Sequence, residues 1–241
     1  MFTFIVTTYN YDKYIGECLK SIIRSNQNFN NPIVVIDDGS TDKTHDELFN
    51  NGLLNYIDYI RIENVGVEKA LTLALEEVKT EYFVRIDADD SITKDFTSVI
   101  SETIKSNDNQ FYYSNYFEIN SQSELIKKIT LPTFDKNEIY SRGDFLATGT
   151  VINVSSFNKA GGYHTNIKNC GLENYSLILR MIESGFQGKH INKFLFYYRR
   201  HNKSMSLTKR NAIINYGKKL LLDINDKDYK TNIYHPYQLK L

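Results

Sequence analysis

The first ninety residues repeat one pattern: a short apolar, β-branched run, then a polar cluster, then a stretch with helical spacing. Phe2–Thr7 reads as a strand, and Tyr14, Ile15, Cys18, Leu19, Ile22 and Ile23 recur as one face of a helix over roughly 12–25. Ile33–Ile36 is a second strand, followed by a helix around Thr44–Phe49; Ile57–Ile62 is a third, followed by a helix marked by Val67, Leu71, Ala74, Leu75 and Val78. Tyr82–Ile86 is the fourth. Strands alternating with helices at this spacing predict an α/β fold with a mostly parallel sheet flanked by helices on both faces. Beyond residue 110 the rhythm is looser, with strands expected at Phe111–Ile119, Val151–Val154 and His190–Arg200 and a helix across Glu173–Ser184.

In open α/β sheets ligands gather beyond the carboxyl ends of the strands. Three successive strands end in polar clusters there: Thr7-Thr8-Tyr9-Asn10, Asp37-Asp38-Gly39-Ser40 and Asp87-Ala88-Asp89-Asp90. The last places three carboxylates within four positions. Alternation along a strand delivers Asp87 and Asp89 to one side of its exit, where hard oxygen donors suit a divalent cation shared with substrate phosphates. A calcium loop is excluded, because Ile92 stands where a glycine is required and Ser98 where the bidentate glutamate belongs. A dinucleotide fingerprint is excluded by the glycine-free turn Thr8–Lys13. Tyr9 can stack on a nucleobase, or can fill the space between strand and helix. Asp37 or Asp38 can accept a hydrogen bond from a base or ribose, and Gly39 permits close backbone approach. Together these describe a cradle for a nucleoside diphosphate and its cation.

Lys+Arg and Asp+Glu both total 29 in 241 residues, so net charge offers no argument for a nucleic-acid partner. The two cysteines, Cys18 and Cys170, have neither zinc nor disulfide-framework spacing. Met1 is followed directly by a strand-like run, and no 18-residue apolar stretch occurs, so a soluble cytoplasmic protein is expected.

In order, the segments Ile5–Asn10, Val35–Asp42, Glu63–Leu71, Glu81–Asp90, Gly161-Gly162-Tyr163, Glu173–Leu177 and Tyr198–Ser206 resemble the motif series of family 2 glycosyltransferases of the GT-A fold. The resemblance covers residues 2 to about 207, and the ordered set is far more specific than any one motif. It implies inverting transfer of a sugar from a nucleotide-diphosphate donor, UDP-sugar favoured, to an acceptor hydroxyl, in bacterial surface polysaccharide or lipopolysaccharide synthesis. The acceptor would be a saccharide or a lipid-linked saccharide. Residues 1–110 would bind the donor, 111–207 would build the acceptor side, and 208–241 would form a basic amphipathic helix and tail. The implied donor set is Thr8, Tyr9, Asn10, Asp37, Asp38, Gly39, Lys69, Asp87, Ala88 and Asp89. Mg²⁺ or Mn²⁺ would sit on Asp87, Asp89 and His201.

One departure bears on catalysis. The family's base is the Asp of an ED pair, and this chain has Glu173-Asn174, whose amide cannot take a proton in that role. Glu173 is therefore expected to serve as base. The alternatives are a silent nucleotide-sugar-binding homologue, or a nucleotidyltransferase. Over Leu207–Leu222, lysines and arginine alternate with aliphatic residues, a pattern that suits either peripheral contact with an anionic membrane or packing on the domain. The sequence leaves the oligomeric state open.

Overall fold

A computed structural model describes residues 1–143, 146, 148–223 and 231–239. The elements run β1 (Phe2–Thr8), α1 (Ile15–Asn26), β2 (Ile33–Asp37), α2 (Thr44–Asn50), β3 (Asp58–Arg61), α3 (Val67–Glu76) and β4 (Tyr82–Asp87). Then follow β5 (Ser91–Ile92), α4 (Phe96–Ser106), β6 (Phe111–Ile119), β7 (Leu125–Ile129), α5 (Lys136–Arg142), β8 (Val151–Asn153) and α6 (Val154–Lys159). The chain finishes with α7 (Glu173–Glu183), β9 (Gly188–Arg199), α8 (Met205–Thr208) and α9 (Arg210–Asp223).

The strands form one sheet in the order β3-β2-β1-β4-β8-β6-β9-β5, with β7 paired to β6. The first four lie parallel, as their helical crossovers require. In the second half β6 and β9 also pair in parallel, but the strands around them do not. β8 enters antiparallel to both β4 and β6, and β7 and β5 are antiparallel additions, so the complete sheet is mixed. The crossover helices of a parallel sheet are longer than the 2- and 3-residue strands β5 and β8, which the chain inserts between longer elements.

Alternation of side chains feeds two cores from the same strands. Phe4, Val6, Val35, Val84 and Ile86 face α1 and α4, whereas Ile5, Val34, Ile36 and Phe83 face α3 and α7. The second core draws on β6, α6, α7 and α9 as well, so the two expected halves of the chain are packed as one body around it. The amphipathic segment near residue 213 belongs here: Ile213, Leu220 and Leu221 are buried in that core. Much of its apolar face is thus used internally, the packing alternative of the sequence reading. Among the described residues no helix is long and apolar enough to cross a membrane. Part of the expected tail, 224–230 and 240–241, lies outside the described residues.

The segment 231–239 docks on α5, α7 and α9. Leu239 packs against Gly217 and Leu172, and the His235 ring fills the space beside Gly143, where a Cβ would come within 2.3 Å of it. His235 Nδ1 accepts the Tyr237 N–H at 3.1 Å, while its buried Nε2 has no partner. Burial lowers the His235 pKa from 6.5 to about 4. Unfolded chain therefore binds the proton first, and protonation at Nδ1 also breaks the bond to Tyr237. The docked segment is expected to be fully stable above pH 6.5 and to loosen progressively between pH 6.5 and about 4. Limited proteolysis of the C-terminal segment across that range checks this, and a His235→Gln variant is expected to lose the pH dependence.

Candidate active site

A cavity of about 1470 Å³ opens at the carboxyl ends of β1, β2 and β4 and extends under β6, β9, α8 and the docked C-terminal segment. That is larger than the usual volume of a small-ligand site and leaves room for two substrates.

The first wall is built by cross-bracing of the two loops after β1 and β2. Asn10, with φ at 61°, turns its side-chain carbonyl to accept N–H groups of Thr41 (2.7 Å) and Asp42 (3.2 Å), and its own N–H donates to Ser40 Oγ at 2.9 Å. Asp37 has no exposure; its carboxylate accepts from the Ser40 N–H at 2.7 Å and the Tyr59 hydroxyl at 2.6 Å. Gly39, at φ 77°, passes so close to the next loop that a Cβ would stand 3.0 Å from the Asn64 nitrogen. Asp37 and Gly39 therefore shape the loop and do not line the cavity, contrary to the donor-binding expectation. Thr8, Tyr9, Asn10 and Asp38 do line it. Tyr9 is half exposed, its ring open to a ligand, and the buried Thr8 hydroxyl has no partner.

Asp38 also completes the N-terminus of α3. Its carboxylate accepts from the N–H groups of Val65 (2.6 Å) and Gly66 (2.9 Å) and from the Asn64 amide (3.1 Å). The next orphan donor, the Val67 N–H, goes to the side chain of Asn169 at 3.1 Å. One residue further on, the buried Glu68 accepts from the N–H groups of Asn169 (2.8 Å) and Cys170 (2.6 Å). The start of α3 is thereby latched to the loop that leads into α7. Lys69 points the other way, exposed on α3 and outside the cavity, so its expected contact with donor phosphates is not supported.

The acidic turn after β4 forms the floor. Arg85 and Asp87, two apart on one strand, project to the same side. Arg85 Nε donates to Asp87 Oδ1 at 2.7 Å and its NH1 to Glu173 Oε1 at 2.6 Å. The two flanking carboxylates push the Arg85 pKa well above its ordinary value despite burial. Burial raises the Asp87 carboxyl, opposed by Arg85 and reinforced by Asp89 and Glu173. Asp90 is driven well above the usual carboxylate range by burial and by Asp89 and Asp87; one of its oxygens accepts the Arg199 N–H at 2.8 Å and the other has no partner. Asp89 Oδ2 meets His201 Nε2 at 2.8 Å. Burial, followed by these same carboxylates, also raises the Tyr11 hydroxyl far above its ordinary value.

Asp89 and His201 thus come together, while Asp87 turns to Arg85. Among the described residues, the group of three metal-capable side chains whose ligand atoms all lie within 4.8 Å of one another is Glu68, Cys170 and Glu173, and these are engaged by backbone N–H groups and by Arg85. The acidic turn nevertheless fits a hard divalent cation. Asp87 and Asp89 line the cavity floor beside the His201 imidazole, a set of hard oxygen and nitrogen donors, with the buried Asp90 behind them.

Glu173 opens α7 and lines the cavity. Its second oxygen, Oε2, has the Cys170 thiol at 3.9 Å. Asn174 faces the core instead: 3% exposed, its carbonyl accepts the Tyr163 hydroxyl at 2.8 Å, and it stands outside the cavity wall. The catalytic expectation for Asn174 is corrected accordingly. Sequence reasoning missed Arg85 and Glu68. The available signal was a single charge on the buried face of each element: an arginine inside an apolar strand, and a glutamate in the inward row of an amphipathic helix.

The family model of glycosyl transferase family 2 matches residues 3–163, and the chain belongs to that family. The teichoic acid poly(glycerol phosphate) polymerase of Staphylococcus epidermidis is 42% identical over 95 residues, 37% of this chain and 13% of that one. The poly(ribitol-phosphate) beta-N-acetylglucosaminyltransferase TarS of Staphylococcus aureus is 35% identical over 99 residues, 39% of this chain and 17% of its own. The chain spans well under a fifth of the length of these relatives. TarS 1–349 in complex with UDP-GlcNAc superposes with a TM-score of 0.71 at 18% identity, covering 94% of this chain and 67% of that one. A mannosyltransferase of Pyrobaculum calidifontis in complex with GDP-Man and Mn2+ superposes at 0.68 and 16% identity, covering 98% and 66%. The fold is therefore that of the GT-A glycosyltransferases.

Removing one member of a buried charge group leaves the others uncompensated. Arg85→Met is expected to destabilise the protein by about 3–5 kcal/mol. The double variant Arg85→Met/Glu173→Met is expected to be less destabilised than the single one, and thermal melts of both decide it.

Proposed function

We propose that the chain is an inverting glycosyltransferase that moves a sugar from a uridine diphosphate donor to an acceptor hydroxyl, with a divalent cation, Mg²⁺ or Mn²⁺, at the acidic turn. The observation that carries this is the placement of Glu173 on the wall of the same cavity as Asp87 and Asp89, joined to Asp87 through Arg85. UDP-GlcNAc in TarS and Mn2+ in the mannosyltransferase support the donor and cation classes.

Thr8, Tyr9, Asn10 and Asp38 line the end that receives the base, with the Tyr9 ring as a stacking surface and one Asp38 lone pair still open to a base N–H. Asp89, with Asp87 and His201 beside it, would hold the cation, which supplies Lewis-acid stabilisation of charge on the departing diphosphate. Arg85 fixes one oxygen of Glu173, leaving Oε2 for the acceptor hydroxyl. Glu173 takes the hydroxyl proton as the acceptor oxygen bonds to the anomeric carbon and the bond to the diphosphate oxygen breaks, inverting the centre. A homologue that binds donor without transferring it is the second reading, because Asn174 replaces the family's Asp and is committed to Tyr163.

Titration calorimetry with UDP, GDP, CDP and dTDP, with and without Mn²⁺, tests the donor site. Tight binding of one nucleotide that requires the cation and is lost in Asp89→Ala is expected; no cation-dependent binding to any of them removes the transferase reading. Glu173→Gln is expected to keep nucleotide affinity and lose about 10²–10⁴ in transfer rate. Full activity in that variant would leave Glu173 without the role of base.

A further inference from the structure

A chain of zero net charge sorts its charges inside this cavity. The donor end is acidic: Asp12, Asp38, Asp87 and Asp89 face it, against Lys13 and Arg85. The end built by residues beyond 110 is basic. Lys127, Arg142, Arg200, Lys203 and Lys209 line it, against Glu118 and Glu173, while Lys168 stands at the Asn64 loop beside Asp38. Both glutamates are already engaged. Glu118 holds Arg200 at 2.7 Å and Lys127 at 3.3 Å, and Glu173 holds Arg85. Lys168 donates to the Asn64 carbonyl, and Arg142 stands 3.8 Å from Glu138 with its guanidinium over the Tyr234 ring. Among the described residues, no carboxylate lies within 4 Å of the Lys203 or Lys209 ammonium, and both side chains are exposed. Tyr116, Tyr198, Tyr234 and Tyr237 interleave with these cations on the same wall.

Cations in excess of the carboxylates along a cleft favour an anionic ligand through Coulomb attraction and release of its counterions. The aromatic faces between them suit the C–H surfaces of sugars or polyols. The charge of a donor diphosphate would be met by the cation at the acidic turn, which His201 adjoins. Resting on the transferase reading, we propose that the acceptor is a phosphodiester-bearing chain that lies along this basic wall with its hydroxyl toward Glu173. A phosphate-rich lipid surface fits less well. The cations line a cleft under β9 and the docked C-terminal segment, and Ile213, Leu220 and Leu221 of α9 are in the core.

The test measures anisotropy of a labelled synthetic glycerol-phosphate oligomer against a neutral oligosaccharide of equal length and vesicles containing phosphatidylglycerol. The oligomer is expected to bind, with affinity falling steeply between about 50 and 200 mM salt, and the neutral chain is expected not to compete. Lys203→Ala/Lys209→Ala is expected to weaken the oligomer about tenfold or more while calorimetric binding of nucleotide with Mn²⁺ shifts less than about twofold. Equal binding of the neutral chain, wild-type oligomer affinity in the double variant, or binding of vesicles without the free oligomer overturns the proposal. Absence of oligomer binding overturns it as well. Loss of nucleotide binding in the wild type would instead strike the donor reading, because the two titrations are independent.

Discussion

Arg85 is the hinge of the site's electrostatics. A guanidinium inside a buried strand is costly unless its charge is matched, and here it is matched twice, by Asp87 on its own strand and by Glu173 at the start of α7. The match fixes more than charge. It sets the distance between the acidic turn that follows β4 and the helix that carries the candidate base, elements 88 residues apart in the chain. Planar, two-sided donation is what arginine supplies and lysine does not. The rest of the cavity is arranged around this bridge, with the loops after β1 and β2 among its walls.

A second set of contacts repeats the strategy with backbone donors. Asp38 and Glu68 each consume N–H groups that their loops would otherwise leave unpaired, and each does so across a long stretch of sequence. The two carboxylates both brace the start of α3, so the loop after β2 and the loop before α7 share one joint. Arg199 does comparable work beneath the acidic turn: its guanidinium reaches the Asp89 carbonyl at 2.6 Å, Ser123 at 2.8 Å and Glu17 at 2.9 Å. Charged side chains in this protein act chiefly as connectors between loops.

The parallel half of the fold was legible because periodicity of two and of 3.6 is written in local residues, and strands β1, β2 and β4 end within one residue of where the apolar runs stop. β5, β7 and α5 were harder for the same reason. They are short or exposed, and their pairing depends on partners far along the chain. The site divided similarly. Strand-end clusters located the cavity, yet the cluster alone did not tell which carboxylate faces a ligand: Asp37 and Asp38 are neighbours, and only hydrogen bonds to Ser40 and Tyr59 assign Asp37 to the loop. Likewise the Glu173-Asn174 pair raised the right question, but the rotation of α7 that sends Asn174 to Tyr163 is a packing result.

The latch at Glu68 also limits how such a chain can diversify. A carboxylate 1% exposed, with both oxygens committed to the 169–170 backbone, cannot tolerate a different loop that fails to present two N–H groups in the same place. The second half of the chain is therefore not an interchangeable cassette. Recombination that joins the first half to a foreign second half must bring a compatible loop, or strand a buried negative charge at the seam.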